Sequence, residues 1–560
     1  MSNNKLCLPF IYLYQILMSI LPHLKFFSYI FLFLFTLSGC QKVQSSNQRL
    51  APLPQDPLIQ VYFNHSQSSE YQETYRQQTR LGDDLEKQIL DAISQAQSTI
   101  DIAVQELRLP KIAQALAEKQ KSGIKVRLIL ENNYSRPWSS LTDAELQKLE
   151  PREKARYNEF IKFVDINQDN QITPDEISQR DALIIIQNSK IPWIDDTADG
   201  SKGSSLMHDK FIVVDNRFVI ITSANFTLSD TSGDISNSSS LGNANNLLKI
   251  DSPELANIFI EEFNIMWGDG PGGKPDSKFG LQKPLRLHQE INLVNTKVTV
   301  NFSPISPTQP WSNSSNGLIV KTLDKASKNV DLALFVFSDQ KIANILENRH
   351  NQNVVIRALI EPQFAYRSYS EALDMMGLAL SENCKYEVDN RPWKNPITAV
   401  GVPTLATGDL LHHKFAVIDN QTVITGSHNW SEAANHNNDE TLLIVENSTV
   451  AAHFQREFDN LYTTIKPGLP SRIKEKIDAQ IQQCPQIKTQ SSIPDFTNQK
   501  INLNTATQQE LETLPGVGKK LAQRIIIARQ QQKFTSLQDL EKIPGISAKT
   551  VEKWQESVIW

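Results

Sequence analysis

The sequence predicts an α/β fold that occurs twice, followed by a small all-α domain. The first observation is a repeated motif, because a segment that begins at His208 recurs at His412, 204 positions later. The second is the order of elements, since each half alternates predicted strands and amphipathic helices before it reaches the motif. The third is a change after residue 499 to short helices separated by Gly-containing turns. At 560 residues the chain is also too long for one compact core, so we expect several domains.

The overall composition does not indicate a particular partner. The net charge is -6 and 40% of the residues are hydrophobic, as in ordinary soluble globular proteins. A partner such as nucleic acid or membrane therefore has to be inferred from local features.

The first forty residues have the features of a targeting signal. Lys5 and Lys25 precede an uncharged apolar run, residues 26–37, which is shorter than the roughly twenty residues that span a bilayer as a helix. The run ends in Leu37-Ser38-Gly39-Cys40, which resembles the lipobox of bacterial lipoproteins, where the cysteine is acylated. We expect a signal peptide over 1–39, a lipid anchor on Cys40, a polar tether over 40–60, and an exported protein on a bacterial membrane facing the periplasm or exterior. A plain signal peptide and a longer anchor are the alternatives.

Each half of the central chain is predicted to be one lobe, residues 61–270 and residues 290–465. Both lobes show strand, helix and strand at the spacing of α/β units with buried strands. Each closes with a helix that ends in an aromatic cluster. The predicted helices are 84–96 and 318–327, the predicted strands are 99–104, 126–130, 329–334 and 355–360, and the closing clusters are 259–267 and 454–462.

The repeated motif has the pattern of a strand, a tight turn and a returning strand. In each copy a His and a Lys two residues apart precede a β-branched run that ends in Asp, and a Ser-x-Asn follows the returning strand. Residues two apart on a strand share a face, so each His is expected to point with its Lys. An imidazole beside a fixed cation suits a phosphodiester, which needs a nucleophile or acid and a charge for its nonbridging oxygens.

The two His-x-Lys-x4-Asp units with their Ser-x-Asn sequences resemble the phospholipase D superfamily, over roughly residues 60 to 465. The resemblance implies two lobes related by a pseudo-twofold axis, with both motifs in one metal-independent active site of a monomer. It also implies that one His forms a phosphohistidine and the other protonates the leaving oxygen. In the usual family order His208 is the nucleophile and His412 the acid. The catalytic residues implied are His208, Lys210, Asp215, Asn225, His412, Lys414, Asp419, Ser427, Asn429 and Glu440.

The two copies of the motif are unequal. Lobe two has Gly426 and Glu440, which fit the family pattern, whereas lobe one has Thr222 and Asn245 at the matching places. A carboxylate that would orient one imidazole is therefore missing from one side. This difference weakens the assignment of nucleophile and acid more than it weakens the expectation of activity.

An insertion in lobe one, about residues 153–187, resembles an EF-hand. The residues at the oxygen-ligand places of a twelve-residue calcium loop are Asp165, Asn167, Asp169, Gln171 and Glu176. Asn170 replaces the usual Gly and tolerates the left-handed conformation. We expect a structural Ca²⁺ here and no cofactor in catalysis. A solvated acidic loop between two helices is the alternative.

After a polar linker, residues 466–498, the segment 499–560 resembles the double helix-hairpin-helix module of competence-type DNA-binding proteins. A glycine hairpin that opens onto a helix N-terminus directs backbone N–H groups at phosphate oxygens without reading bases. The resemblance implies sequence-independent DNA binding by Gly516, Gly518, Lys519 and Lys520. A structural or protein-binding helical module is the alternative.

Beyond the leader and the lipid-anchor residue Cys40, the sequence has two cysteines, Cys384 and Cys484, and both a disulfide and two independent thiols fit it. The resemblances together favour an exported, metal-independent nuclease that cleaves DNA through a phosphohistidine. One alternative is a phospholipase D that hydrolyses phospholipid headgroups at the membrane. The other is a DNA-tethering surface protein without activity.

Overall fold

The computed structural model describes residues 49–201, 203–465 and 469–484, and most of 501–559. The predicted signal peptide, Cys40 and residues 41–48 of the tether lie outside these residues, as do residues 466–468 and 485–498 of the linker. The chain divides into two compact units. The first contains the described residues up to Leu380 together with Glu387–Ile473, and thus both lobes; the second contains Ser381–Tyr386 and the described residues from Lys474 onward.

Lobe one is a seven-stranded sheet with helices on both faces. Its strands are β1 (Ile59–Phe63), β4 (Thr99–Val104), β5 (Lys125–Leu130), β6 (Trp193–Asp195), β7 (Lys210–Val214), β8 (Phe218–Thr222) and β9 (Asn246–Asp251), with a separate hairpin of β2 (Glu70–Gln72) and β3 (Thr79–Leu81). Its helices are α1 (Leu85–Gln95), α2 (Pro110–Lys121), α3 (Asp143–Leu146), α4 (Pro151–Val164), α5 (Pro174–Arg180), α6 (Ala182–Asn188), α7 (Leu228–Thr231) and α8 (Pro253–Trp267).

Lobe two repeats this plan with one more edge strand. Its strands are β10 (Gln289–Leu293), β11 (Thr296–Ser303), β12 (Asn329–Leu334), β14 (Val355–Ile360), β15 (Val400–Gly401), β16 (Lys414–Ile418), β17 (Thr422–Gly426) and β19 (Glu440–Glu446), and β13 (Phe337–Ser338) pairs separately with β18 (Trp430–Ser431). Its helices are α9 (Ser315–Leu323), α10 (Gln340–His350), α11 (Glu371–Met375), α12 (Glu432–His436) and α13 (Ser448–Tyr462).

The sheet topology confirms the predicted duplication. The order in lobe one is β1-β9-β8-β7-β4-β5-β6, and lobe two has β11-β19-β17-β16-β12-β14-β15 with β10 added at the edge. In each lobe the strand after the first helix runs parallel to the next strand and antiparallel to the motif strand. The motif strands are therefore central and buried, which fits their continuous β-branched sequence.

Each motif hairpin closes in a two-residue turn of the kind that the sequence predicts. Asp215 and Asn216 have φ of 54° and 53°, and Asp419 and Asn420 have φ of 52° and 55°. Two consecutive left-handed residues match the twist of the flanking strands, and Asp and Asn tolerate this conformation better than other non-glycine residues.

One buried core joins the two lobes. It contains apolar residues from both sheets and from α8 and α13, the helices that close each lobe. Separate outer cores lie under α1, α2 and α6 in lobe one, and under α9 and α10 in lobe two. Because the shared core holds the sheets against each other, the ends of the two motif strands have a fixed relation.

The second unit has its own small core. The side-chain amide of Asn504 donates to the carbonyl of Phe534 and accepts from its backbone amide, each at 2.8 Å. Its elements are α14 (Ser471–Gln483, which starts in the first unit), α15 (Lys519–Gln531), and the paired strands β20 (Ile501–Asn502) and β21 (Val558–Ile559). Cys384 and Cys484 form a disulfide within this unit, with 5.5 Å between their Cα atoms. The pairing resolves the alternative that the sequence left open.

Across the described parts of the chain, no helix has the length and apolar character needed to cross a bilayer.

Candidate active site

The two motif histidines lie where the lobes exchange backbone hydrogen bonds. The amide of His208 donates to the carbonyl of Asp439 at 2.8 Å, and the amide of His412 donates to the carbonyl of Ala244 at 3.1 Å. Each histidine thus precedes its own strand and pairs with the segment that leads into β19 or β9 of the other lobe. Both motifs therefore meet at one place, as the sequence predicts.

His208 is oriented by a carboxylate from the other lobe. Its Nδ1 lies 2.6 Å from Oε2 of Glu440, which also accepts a hydrogen bond from the Ser427 hydroxyl at 2.7 Å. All three side chains are buried. Because a carboxylate only accepts, Nδ1 carries the proton and Nε2 keeps its lone pair for the substrate.

His412 is oriented by an amide instead. Its Nδ1 lies 3.0 Å from Oδ1 of Asn245, and Ser223 donates to the same oxygen at 2.7 Å. The amide nitrogen of Asn245 donates to Asp230 at 3.1 Å, which fixes the oxygen toward the histidine. A carboxylate oxygen of Asp230 lies 3.6 Å from the same Nδ1.

The missing carboxylate of lobe one therefore affects the histidine of lobe two. Because the orienting residues are exchanged, Glu440 of lobe two serves His208, and Asn245 of lobe one serves His412. Asp230 supplies a carboxylate at the second histidine, although at a longer distance. Sequence reasoning missed Asp230; its signal was an acidic residue five positions after the Ser-x-Asn of lobe one.

The two lysines lie beside their histidines but differ in their other contacts. Lys210 donates to the carbonyl of His208 at 2.9 Å and to Gln105 at 3.2 Å. Lys414 donates to the carbonyl of His412 at 2.6 Å and lies 4.8 Å from the ring centroid of Phe335. Both lysines are fully buried, so their side chains are held rigidly beside the histidines.

Burial and mutual repulsion shift the charges of the site. Burial lowers the pKa of His208, although Glu440 opposes this shift. Burial, Lys414 and Lys210 lower the pKa of His412 well below its ordinary value. Burial also lowers the pKa of Lys210 to about 8, and burial with Lys210 lowers the pKa of Lys414 well below its ordinary value. An anion in the site would favour the protonated form of each group, so the arrangement is suited to a phosphate.

The serine of each Ser-x-Asn holds an orienting group of the site, because Ser223 donates to Asn245 and Ser427 donates to Glu440. The amide oxygens of Asn225 and Asn429 are both buried without a hydrogen-bond partner. In lobe two Gly426 has φ of 137°, and a Cβ there would lie 2.1 Å from the carbonyl of Thr441. In lobe one the Thr222 hydroxyl instead donates to the carbonyl of Asn246 at 2.6 Å.

The structure does not bring Asp215 and Asp419 to the histidines, and we correct their assignment as catalytic residues. Each lies at the far end of its motif strand, about 17 Å from the lysine at 3.3 Å per residue. The carboxylate of Asp215 accepts hydrogen bonds from the amides of Gln97, Ser98 and Thr99. Asp419 binds the amides of residues 327–329 in the same way. Both residues are structural, because they fix the turn against the preceding loop.

The predicted calcium loop lies between α4 and α5, and Asn170 is left-handed with φ of 63°, as its position in the loop requires. Its donors Asp165, Asn167, Asp169, Gln171 and Glu176 have the oxygen chemistry that calcium prefers. The carboxylate of Glu176, however, accepts from the amides of Ile166 at 3.0 Å and Thr173 at 2.9 Å. No three Asp, Glu, His or Cys side chains converge on a metal position anywhere in the described ranges. The loop fits calcium in chemistry, and its carboxylates would exchange backbone N–H partners for the ion.

Of the predicted DNA-binding residues, Gly516 and the side chain of Lys519 lie outside the described part of the chain. Gly518 is the exposed N-cap of α15, and Lys520 is exposed in its first turn. In the second hairpin Gly545 has φ of 102°, and Arg524 donates to the carbonyl of Pro544 at 2.8 Å.

Comparisons with known proteins agree with this site. The family described as "Cardiolipin synthase, PLD-like domain" matches residues 89–267 and 319–462, and the "Helix-hairpin-helix motif" family matches 497–559. The mitochondrial cardiolipin hydrolase of Xenopus laevis is 25% identical over 203 residues, which cover 35% of this chain and 85% of that protein. A phospholipase D of Rickettsia conorii is 26% identical over 198 residues, which cover 34% of this chain and 86% of that protein.

Solved structures similar to this chain include Nuc from Salmonella typhimurium, at 19% identity with a TM-score of 0.24, covering 31% of this chain and all of that one. Another is the phosphatidylserine synthase of Haemophilus influenzae, at 11% identity with a TM-score of 0.45, covering 78% of this chain and 95% of that one. The family match spans more than half of the chain, across both lobes and both motif histidines. The chain therefore belongs to the phospholipase D-like family, and it is a phosphodiester hydrolase with two such lobes and a C-terminal helix-hairpin-helix module.

Proposed function

We propose that the protein is a nuclease that cleaves DNA without sequence preference. The observation that carries this proposal is the helix-hairpin-helix module that follows a phosphodiesterase site on the same chain. In such a module a helix N-terminus offers backbone N–H groups to phosphate oxygens, which every DNA sequence carries. Because one chain supplies both halves of the site, we propose that the monomer is active.

In the proposed reaction Nε2 of His208 attacks phosphorus. The carboxylate of Glu440 stabilises the positive charge that develops on this imidazole. Lys210, Lys414 and the amides of Asn225 and Asn429 hold the nonbridging oxygens. Protonated His412 gives its proton to the leaving oxygen as the bond to phosphorus breaks. Neutral His412 then takes a proton from water, which attacks phosphorus and frees His208.

The difference between the two orienting groups supports this order of roles. A charged partner such as Glu440 favours the cationic imidazole that nucleophilic attack produces. An amide partner such as Asn245 gives less stabilisation to protonated His412, which makes it the stronger acid. The phosphate charge offsets the depressed pKa of His412 when substrate binds.

Deletion of residues 499–560 is the main test of the nuclease proposal. Turnover of a small phosphodiester should be unchanged, because the site lies in the lobes, whereas the concentration of long DNA for half-maximal cleavage should rise about tenfold or more. Lys520→Ala should weaken DNA binding. It should also reduce, by about one, the slope of the logarithm of the binding constant against the logarithm of salt concentration. Lys542→Ala is the matched control, since Lys542 is exposed in the same module but pairs with Asp539. Equal DNA cleavage by full-length and truncated protein would remove the main support.

A phospholipase D is the second candidate. It is favoured by the relatives of the chain, which include cardiolipin hydrolases and a phospholipase D, and by the lipobox-like sequence that would place the site at a membrane. We propose the lipid anchor on Cys40 and the exported location on that sequence alone. Purified protein offered plasmid DNA and phosphatidylcholine separately would distinguish the two activities. Inert lobes that only tether DNA are not favoured, because both His-Lys pairs are intact.

We also propose that the loop Asp165–Glu176 binds a structural Ca²⁺. Glu176 would supply two of the oxygen ligands, so Glu176→Gln should weaken binding more than tenfold in calorimetry. Asp175→Asn is the matched control, because Asp175 is an exposed neighbour at a place that does not ligate the ion. Absence of any calcium heat with the wild type would leave the loop as an acidic surface insertion.

A further inference from the structure

The two sides of the phosphate site have different walls. The first residue after β4 is Gln105, whose amide oxygen accepts from Lys210 at 3.2 Å. The first residue after β12, at the equivalent place, is Phe335. Its ring centroid lies 4.9 Å from that of His412, with 72° between the ring planes. A polar amide therefore stands on the His208 side, and an aromatic ring stands on the His412 side.

A second ring extends the aromatic side. Phe364 lies 4.8 Å from Phe335, centroid to centroid, with 71° between the planes, and both rings are partly exposed. The turn that holds Phe364 is tied to the motif, because Glu361 accepts the amide of Leu411 at 2.7 Å. Leu411 directly precedes His412. The rings of Phe335 and Phe364, together called the aromatic wall, therefore have a fixed position relative to the histidine.

Among the described residues of lobe one, the equivalent places do not hold such a pair of rings. Tyr134 is the fourth residue after β5, as Phe364 is after β14, but the guanidinium of Arg156 lies 5.5 Å from its ring centroid. Glu106, next to Gln105, is buried and pairs with both Arg108 and Arg156. The His208 side is therefore polar and charged, whereas the His412 side is aromatic.

We propose that the aromatic wall of Phe335 and Phe364 is the subsite for the leaving group and that it takes a flat, uncharged group such as a nucleobase. The inference rests on the proposed nuclease function. Attack by His208 places the leaving oxygen on the opposite side of phosphorus, beside His412, so the leaving group passes the wall. Base–aromatic stacking is tolerant of sequence because every base has a π-face.

The same contacts disfavour a cationic headgroup. The ammonium of Lys414 already lies 4.8 Å from the ring centroid of Phe335. A quaternary ammonium group at this ring would meet a like charge at short range, whereas a neutral base would not. The wall therefore selects a nucleoside over choline as the leaving group.

The test uses the full-length protein and three dinucleotide substrates. These are thymidylyl-thymidine, an analogue that lacks the base of the first nucleoside, and an analogue that lacks the base of the second. The products of cleavage show which nucleoside is the leaving group. Wild type should cleave the parent about tenfold faster in kcat/KM than the analogue without the leaving-side base. Phe335→Leu and Phe364→Leu, which keep apolar bulk, should each reduce this preference severalfold. Tyr134→Leu is the matched control on lobe one and should leave the preference for the leaving-side base unchanged.

The preference is a ratio within one enzyme sample, so a partly unfolded variant does not disturb it. An unchanged ratio in both Phe variants, or a wild type indifferent to the leaving-side base, would overturn the inference. If the protein cleaves plasmid DNA but shows no preference for the leaving-side base among the dinucleotides, the inference fails and the nuclease proposal stands. If neither plasmid nor any dinucleotide is cleaved, both fail.

Discussion

Replacement of either motif histidine by alanine is expected to remove nearly all hydrolysis. His208→Ala deletes the proposed nucleophile, so only binding and electrostatic stabilisation remain. His412→Ala removes the proposed general acid, and general acid catalysis is worth about 10²–10⁴-fold in rate. The measurement is kcat on a small phosphodiester, since this substrate does not depend on the C-terminal module.

His453→Ala is the matched control, because His453 lies on α13 and its ring hydrogen-bonds to the backbone of Pro54 rather than to a residue of the site. A chelator should leave the wild-type rate unchanged, since both proposed reacting groups are side chains. A rate that disappears on metal removal while the fold persists would contradict the two-histidine mechanism. Quenched reactions should give a phosphohistidine in the peptide that contains His208. Its recovery on His412 would reverse the roles.

Glu440→Gln is expected to have the second-largest effect, a fall in kcat of about 10²–10⁴-fold. The carboxylate can only accept, and it therefore holds the proton of His208 on Nδ1. An amide can present its NH₂ group to Nδ1 instead, which favours the tautomer with no lone pair on Nε2. Loss of the correct tautomer in a catalytic triad costs about 10⁴-fold, although the geometry is retained.

Glu446→Gln makes the same change at the exposed end of β19 and should leave kcat unchanged. Circular dichroism and thermal unfolding of Glu440→Gln separate a catalytic effect from loss of the fold, because Glu440 is fully buried. A folded Glu440→Gln enzyme with wild-type kcat would show that His208 does not need this carboxylate.

The duplicated fold could be predicted from sequence because its signals are local. The β-branched runs before and after Asp215 define two strands, and the Asp-Asn pair defines the turn between them. The same pair placed Asp215 in the turn, although the family resemblance implied a catalytic role for it. Its constant distance from His208 in sequence indicated a shared motif, but on an extended strand constant spacing does not mean spatial proximity.

The exchange of orienting groups could not be predicted in this way. The contact of His208 with Glu440 joins residues 232 positions apart, and it depends on how the two sheets pack across the shared core. Sequence comparison of the lobes identified Asn245 as the odd residue but not which histidine it serves. Asp230, on α7, and Phe335, directly after β12, contact His412 through tertiary packing that the local sequence does not indicate.

The exchange also means that neither lobe is a self-sufficient half-enzyme. A substitution at residue 440 removes a contact of a histidine encoded 232 positions upstream, and one at residue 245 removes a contact of a histidine encoded 167 positions downstream. Each copy of the motif therefore depends on a residue of the other copy. These two residues differ between the lobes, since one is Glu440 and the other is Asn245. A lobe produced by itself would keep a histidine and a lysine but lose the group that sets its tautomer. Catalytic rate is consequently a direct reporter of correct assembly of the two lobes.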